Sequence, residues 1–523
     1  MKTHLLYRDA DLNMEKKLPR HSKDLVWDLG LTQLFDAMSR GDTFLHNVVQ
    51  RVILFSLYDV ETIRYRQGIL NDCIENSDAV RKLYDFTIQS MKEADEVYFG
   101  YFARSPSSVL HGSLAILKIL VQRLRELRTF AEEEEKSFHS EGFRKLFATL
   151  TSELSDDYFQ EVAEHLKQLS FKDGELLSAR LGTGNAGTDY VLRKPNHDPR
   201  SWLQKVFTSR APASSFRLAD RDESGARSLS ELRDKGLNLV ANAAGQSKDH
   251  ILSFFTNLRT ELAFYVGCLN LRQALTSRDL PVVFPEPFPA ELLRASFNRL
   301  YDPGLALAME KPVVGNSLDC DGRTLTVITG ANQGGKSTFL RSIGVGHLLM
   351  QSGMFVPAEK FEASVCSGVF THFRREEDLE MESGKFDEEL RRMSAIVDAV
   401  RPYSLVLFNE SFAATNEREG SEIAQQITRA LVEKGVKVVF VTHMYEYART
   451  RHQQGNPADM FLQPERKSDG TRTFKLHEGA PSSTSFGPDL YRRIFETGEK
   501  ARGEEGAAPS GRGAIPAAGS RKE

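Results

Sequence analysis

Between a short β-prone run at 324–329 and a helical run stands Gly330-Ala331-Asn332-Gln333-Gly334-Gly335-Lys336-Ser337-Thr338, and no other stretch limits the fold so sharply. It satisfies G-x-x-x-x-G-K-[ST], a pattern with mechanical meaning where a strand ends and a helix begins. Gly334 and Gly335 let backbone N–H groups approach phosphate oxygens, the helix N-terminus adds positive potential, and Lys336 neutralises the β and γ charges. Ser337 is the expected Mg2+ ligand. Residues 330–338 together are expected to hold ATP; the bland reading is a chance glycine-rich turn.

Such a loop needs an acidic strand end nearby. The apolar run 404–408 is followed by Asn409-Glu410, which puts polar groups at the carboxyl edge of a sheet, where open α/β folds bind ligands. Glu410 is the candidate base for water, and Asn409 the second metal ligand. Where such sites usually carry Asp, Asn keeps an oxygen acceptor but loses the charge, so turnover is expected to be weak. The bland reading of the pair is a strand-end cap. Next, the run VVFVTH places His443 beyond a strand end, where an imidazole can sense the γ-phosphate; a lone His is otherwise an ordinary satisfied side chain.

The surroundings agree. From about 290 to 494, β-rich runs alternate with helical ones, the signature of a mostly parallel sheet flanked by helices. Upstream, 22–102 carries apolar residues at helical spacing, Asp59 reads as a helix cap, and 107–131 and 228–275 predict long helices, expected to pair as antiparallel arms. Glycines punctuate 173–192, which predicts a β-hairpin, and 195–227 reads as an irregular loop. The proline-rich segment 281–289 cannot continue a helix and marks the expected main boundary.

Hydrophobic residues make up 40% and charged residues 27% of 523, a globular balance. Lys and Arg number 68 against 72 Asp and Glu, a net −4, which forbids whole-molecule attraction to nucleic acid and requires any such binding to use a local patch. Four scattered cysteines without a C-x-x-C pair read as buried small hydrophobes. Apolar runs fall short of a membrane span, and the N-terminus has no secretion-signal pattern; a cytoplasmic location is expected.

At this point the residues carry a family likeness. The segments GANQGGKSTFLRSIGVGHLLMQSGMFVPA, NESFAATNEREGSEIA and VTHMYEYA resemble the ATPase domain of MutS-type DNA mismatch-repair proteins, an ABC-like branch of the P-loop NTPases. YRQGIL near Arg66 and the long helices are similar to that family's helical core and lever arms. The implied fold is multidomain: an all-α MutS-like core (1–106), lever-arm helices with a short insertion (107–280), an α/β P-loop NTPase domain of ABC/MutS type (281–499), and a flexible tail (500–523).

The resemblance implies a homodimer in which each nucleotide also receives a signature loop from the partner subunit. Here that loop matches SGKFDEEL at 383–390. Gly384-Lys385 stand where the family has Ser-Thr, so either Ser383 takes over the hydroxyl's role or Lys385 supplies charge in trans. The bland reading is a helix start with Phe386 and Leu390 packed one turn apart. Asn316 matches a polar residue near the family's adenine pocket, although a turn-forming Asn explains it nearly as well. Glu419 stands where an Asp is typical.

Mismatch readers in this family use a Phe-x-Glu wedge in a separate N-terminal domain. F-x-E triplets such as those at 284–286 and 386–388 lie elsewhere, so mismatch reading by that wedge is not expected. Candidate phosphate contacts are Arg193, Lys194, Arg200, Lys205, Arg210 and Arg217 with Trp202 and Phe207 between them, a charge and aromatic mixture that can track a backbone; the bland reading is a solvated loop. The expected function is a nucleotide-gated, DNA-binding ATPase dimer of repair or recombination, with repair proteins among its partners. The competing reading is a nucleotide-gated protein-interaction module with weak ATPase activity and no DNA binding.

Overall fold

In the computed structural model, the described residues are 1–98, 105–171, 174–194, 217–219, 221–309, 312–330, 334–375, 384–467 and 471–481. The chain forms two compact units. One holds Met1–Lys23, Gly30–Phe288 and Gly346–Pro357; the other holds Asp24–Leu29, Pro289–Val345 and the chain from Ala358 onward. Among the described residues, no helix is long and apolar enough to cross a membrane.

After α1 (Ser22–Asp28), unit one continues with α2 (Leu31–Ser39), α3 (Thr43–Leu54), α4 (Val60–Glu75), α5 (Ser77–Tyr98), α6 (Pro106–Glu134), α7 (Glu141–Glu153) and α8 (Asp156–Gln168). The hairpin of β1 (Leu176–Leu181) and β2 (Gly187–Arg193), α9 (Glu223–Thr276) and β3 (Glu286–Phe288) complete it. The starts are written locally: Asp42 accepts the Phe44 and Leu45 amides at 2.7 and 3.0 Å, and Asp59, as expected, accepts the Thr62 amide at 2.8 Å. α9 starts at Glu223, five residues before the sequence signal, because the Asp222 side chain caps it by accepting the Gly225 amide at 2.8 Å. At 1.5 Å per residue its 54 residues extend roughly 80 Å.

One expectation is corrected. Ser107 of α6 donates its amide to Asp234 of α9, and Ser113 lies beside Gly245, so contact positions rise together along both helices. The two helices run parallel. The antiparallel partner of α9 is α5, through Phe86 with Phe255 and Arg81 with Asn270. Periodicity reports which face of a helix is buried but is silent about its direction. α7, which the sequence reading passed over, is anchored by buried Asp72, which accepts the His139 and Ser140 amides, and by the Phe138, Phe143 and Phe147 cluster; α8, also passed over, is tied to α6 by Arg128, which donates to the Leu154 carbonyl and to Asp156.

The N-terminal segment is pinned into the same unit. Leu5 and Leu6 are fully buried; Glu261 accepts the Leu5 amide at 2.7 Å, and buried Arg66 donates to the Leu6 carbonyl at 2.7 Å. Burial raises the Glu261 carboxyl to about 7. Between its ordinary 4.5 and about 7, the folded chain keeps a proton that the unfolded chain has lost. Stability from this group is therefore full below 4.5, falls as pH rises to about 7, and then stays constant, a loss of about 3 kcal/mol. Glu261→Gln retains the acceptor for Leu5 and is expected to melt several degrees above the parent at pH 8 but level with it near pH 4.5. A thermal midpoint difference that does not change with pH counts against this.

Unit two is built on β4 (Ala295–Leu300), α10 (Pro303–Ala308), β5 (Asn316–Asp319), β6 (Leu325–Ile328), the part of α11 (Lys336–Gln351) before Gly346, β7 (Lys360–Ser364) and β8 (Val369–Phe373). It continues with α12 (Lys385–Ala399), β9 (Leu405–Asn409), α13 (Glu417–Glu433), β10 (Lys437–Val441), α14 (Tyr445–Gln453), β11 (Asp459–Arg466) and β12 (Arg472–Glu478). The main sheet runs β12-β11-β6-β10-β9-β8 and is parallel except for β12, in keeping with the expected α/β alternation. β4 pairs antiparallel with β5 and β7.

The central strands LTVI and KVVFV are near-continuous apolar runs because helices cover both faces of a parallel sheet. Their core joins Val327, Phe408, Phe412, Phe440, Met444 and Tyr447. α1, which was expected to belong to the 1–106 core, counts with unit two: Asp24 pairs with Arg375, Arg341 donates to the Asp28 carbonyl at 3.0 Å, and Leu29 packs on Gly344 and Leu407. All four cysteines are free and buried.

Candidate nucleotide site

Strand register assembles the site. β6, β10 and β9 pair so that Ile328, Val441 and Asn409 lie in one row. The residues just beyond that row, Thr329-Gly330, Thr442-His443 and Glu410, converge at the carboxyl edge of the sheet. On the β6 side the chain crosses to α11 with Gly330 and Gly335 at φ of 115° and 88°, conformations that side chains resist. Lys336 opens α11; the residue is 4% exposed and its ammonium donates to the Gly330 carbonyl at 2.8 Å. Burial brings its pKa down to about 8, against the pull of Glu410 and with a further push from Arg472.

Ser337 Oγ donates to Asn409 Oδ1 at 2.9 Å, so the two candidate metal ligands meet. Magnesium takes oxygen donors and keeps several waters, binding through one or two protein groups together with substrate phosphates. A hydroxyl and an amide oxygen fit that role. Among the described residues, no group of three or more His, Cys, Asp and Glu could hold an ion, and this neutral donor pair suits an ion that arrives already paired with a triphosphate.

Glu410 Oε1 and His443 Nε2 lie 2.8 Å apart, each side chain about a third exposed (30% and 32%), so the carboxylate is open to water. The hydrogen bond from His443 holds the Glu410 carboxyl below its ordinary value; burial opposes this, and the charges of His443, Lys336 and Arg374 add to it. His443 thus faces Glu410 directly.

Beside the loop is a cavity of about 450 Å³ lined by Tyr301, Leu305, Met309, Val314, Phe474 and Thr338, among others. Asn316 lines it too, but both ends of its amide are taken: Nδ2 donates to the Phe474 carbonyl at 3.1 Å, and Oδ1 accepts the Leu476 amide at 2.8 Å. It joins β5 to β12 at the cavity wall.

Of the other candidates, Ala331, Asn332, Gln333 and Ser383 lie outside the described residues, as do Arg200, Trp202, Lys205, Phe207 and Arg210. Arg193, Lys194 and Arg217 are exposed, and Arg193 donates to Ser178 at 2.9 Å. Glu419 meets Thr415 and the Asn416 cap at the start of α13. On α12 the bland packing pattern is replaced: Leu390 is 37% exposed, whereas Glu389 is 6% exposed and turned inward.

Sequence reading missed a buried group beneath Glu410. Phe412 donates its amide to Glu389 Oε1 at 3.1 Å. His372 of β8 sits with Nδ1 2.8 Å from Ser411 Oγ and Nε2 3.0 Å from the Glu389 carbonyl, and stacks on Phe412 at 5.4 Å. Burial lowers the His372 pKa to about 4, keeping the ring neutral. The one available signal was a His in a short β-prone run, VFTHF.

Two family descriptions match the chain: the MutS2 N-terminal domain over residues 58–278 and MutS domain V over residues 326–492. MutS protein homolog 4 of Homo sapiens is 27% identical over 283 residues, 52% of this chain and 30% of that protein. Endonuclease MutS2 of Thermus thermophilus is 30% identical over 257 residues, 47% and 32% respectively. The DNA mismatch repair protein MutS of Thermotoga neapolitana is 39% identical over 126 residues, 24% and 16%. These alignments span less than a third of each relative's own length. With one description matching the helical unit and the other matching the sheet that carries the loop, the chain belongs to the MutS family.

Proposed function

We propose that this chain binds ATP with magnesium at the edge of the β6, β10 and β9 row, hydrolyses it, and uses the cycle to act on DNA in repair or recombination as a dimer. The observation that carries the reading is the convergence of Lys336, Ser337, Asn409, Glu410 and His443 at that edge. Lys336 and the start of α11 face the phosphates, and the cavity beside Thr338 receives the base, with Phe474 on its wall. Ser337 and Asn409 would hold the magnesium, which would supply positive charge to offset that of the phosphates. Glu410, held by His443, orients and deprotonates the attacking water, while Lys336 steadies the charge that builds on the transferred phosphoryl group.

DNA enters this reading through the relatives, one of which is named a mismatch repair protein. Arg193, Lys194 and Arg217, exposed around the hairpin and the start of α9, are the described candidates for phosphate contact. The neutral Asn409 favours a second reading, slow turnover in a nucleotide-gated module that clasps a protein. The discriminating experiment is a gel-shift titration of duplex, mismatched and branched DNA, with and without ATP, at two salt concentrations. The first reading expects a shift that salt weakens and ATP alters; no shift on any substrate sinks its DNA part.

A further inference from the structure

The turn that carries Glu410 is conformationally costly. Glu410 and Phe412 have φ of 55° and 64°, the left-handed region that non-glycine residues avoid, and such residues persist only where their surroundings hold them. The Glu410 amide is held by the Val441 carbonyl at 2.8 Å, which fixes one end. The other end rests on α12: the Glu389 carboxylate takes the Phe412 amide, and the Glu389 carbonyl faces the His372 ring that underlies Ser411 and Phe412.

We propose that Glu389, acting with His372, is a positioning residue for Glu410, holding the left-handed turn 410–412 against α12 so that the carboxylate points at the attacking water. The proposal rests on the reading of Glu410 as the base. Burying a carboxylate is expensive unless it is hydrogen-bonded, yet α12 turns Glu389 inward and leaves neighbouring Leu390 outward. Ser411, His372 and Phe412 are each fully buried. A neutral imidazole has one N–H; given to the Glu389 carbonyl through Nε2, it leaves Nδ1 to accept from Ser411. The Ser411 hydroxyl also lies 2.5 Å from the His372 carbonyl, so its single proton serves one strand residue either way. Glu389 is thus tied to the turn by both its backbone and its side chain.

The test separates kcat from nucleotide affinity. Glu389→Ala is expected to lower kcat at least tenfold while the Kd for magnesium–ATP stays within twofold; Glu389→Gln, whose amide oxygen still accepts from Phe412, is expected to keep kcat within threefold of the parent. Full kcat in the Ala variant, a parallel loss of affinity, or a Gln variant as slow as Ala overturns the proposal. Should Ala at 389 prevent folding, Ser411→Ala carries the test: loss of one hydrogen bond is expected to cost about threefold or more in kcat at unchanged Kd, and an unchanged kcat overturns the proposal. A parent protein that binds no ATP refutes the nucleotide reading instead. One that binds ATP without turnover removes the role of Glu410 and this proposal with it.

Discussion

Replacing Lys336 with Ala is expected to weaken magnesium–ATP binding about a hundredfold or more, on the order of 3 kcal/mol, without unfolding the protein. The free protein holds this residue almost fully buried, with the Gly330 carbonyl as a hydrogen-bond partner of its ammonium and a pKa brought down to about 8. Much of its water is already gone before a ligand arrives. A triphosphate then meets a cation that costs little more to desolvate, which is why one side chain carries so much of the affinity. The same burial means that the nucleotide-free variant has no reason to melt lower than the parent. Calorimetric titration beside a melting curve checks both halves, and an unchanged Kd would falsify the site assignment.

The second large effect is on rate. Glu410→Gln is expected to lower single-turnover hydrolysis by roughly a hundredfold to ten-thousandfold, the range associated with a positioned base, while leaving ATP affinity near that of the parent. The amide oxygen of Gln can still accept the hydrogen bond that His443 makes at 2.8 Å, so the turn and its geometry survive and only the proton acceptor is lost. A Gln variant that hydrolyses ATP at the parental rate would mean that water is activated elsewhere.

The strand before 329, the helix start at Lys336 and the two later strand ends were legible because each is local: an exact spacing, an apolar run and its polar terminus. So were the helix caps at Asp59 and the hairpin after 173. What escaped depends on pairs far apart in the chain. Glu389 and Phe412, or Asn316 and Leu476, meet only because of strand and helix order, and nothing at either position alone announces the partner. Glu389 was hidden twice, since a helix that reads as amphipathic through Phe386 and Leu390 directs attention to the wrong face. α1 was read with its sequence neighbours because periodicity cannot tell which of two cores a short helix joins. The parallel course of α6 and α9 escaped for the related reason that burial patterns carry no arrow.

Unit two is assembled from three separated stretches, and the cavity wall joins Asn316 on β5 to Phe474 on β12. On the ribosome, residues 330–338 emerge roughly 140 residues before β12 is complete. At about 5 to 20 residues per second, that interval is on the order of ten seconds. Through it the sheet lacks the edge strand that completes the cavity wall, so a ligand of that cavity is expected to steady the chain only after β12 has been made.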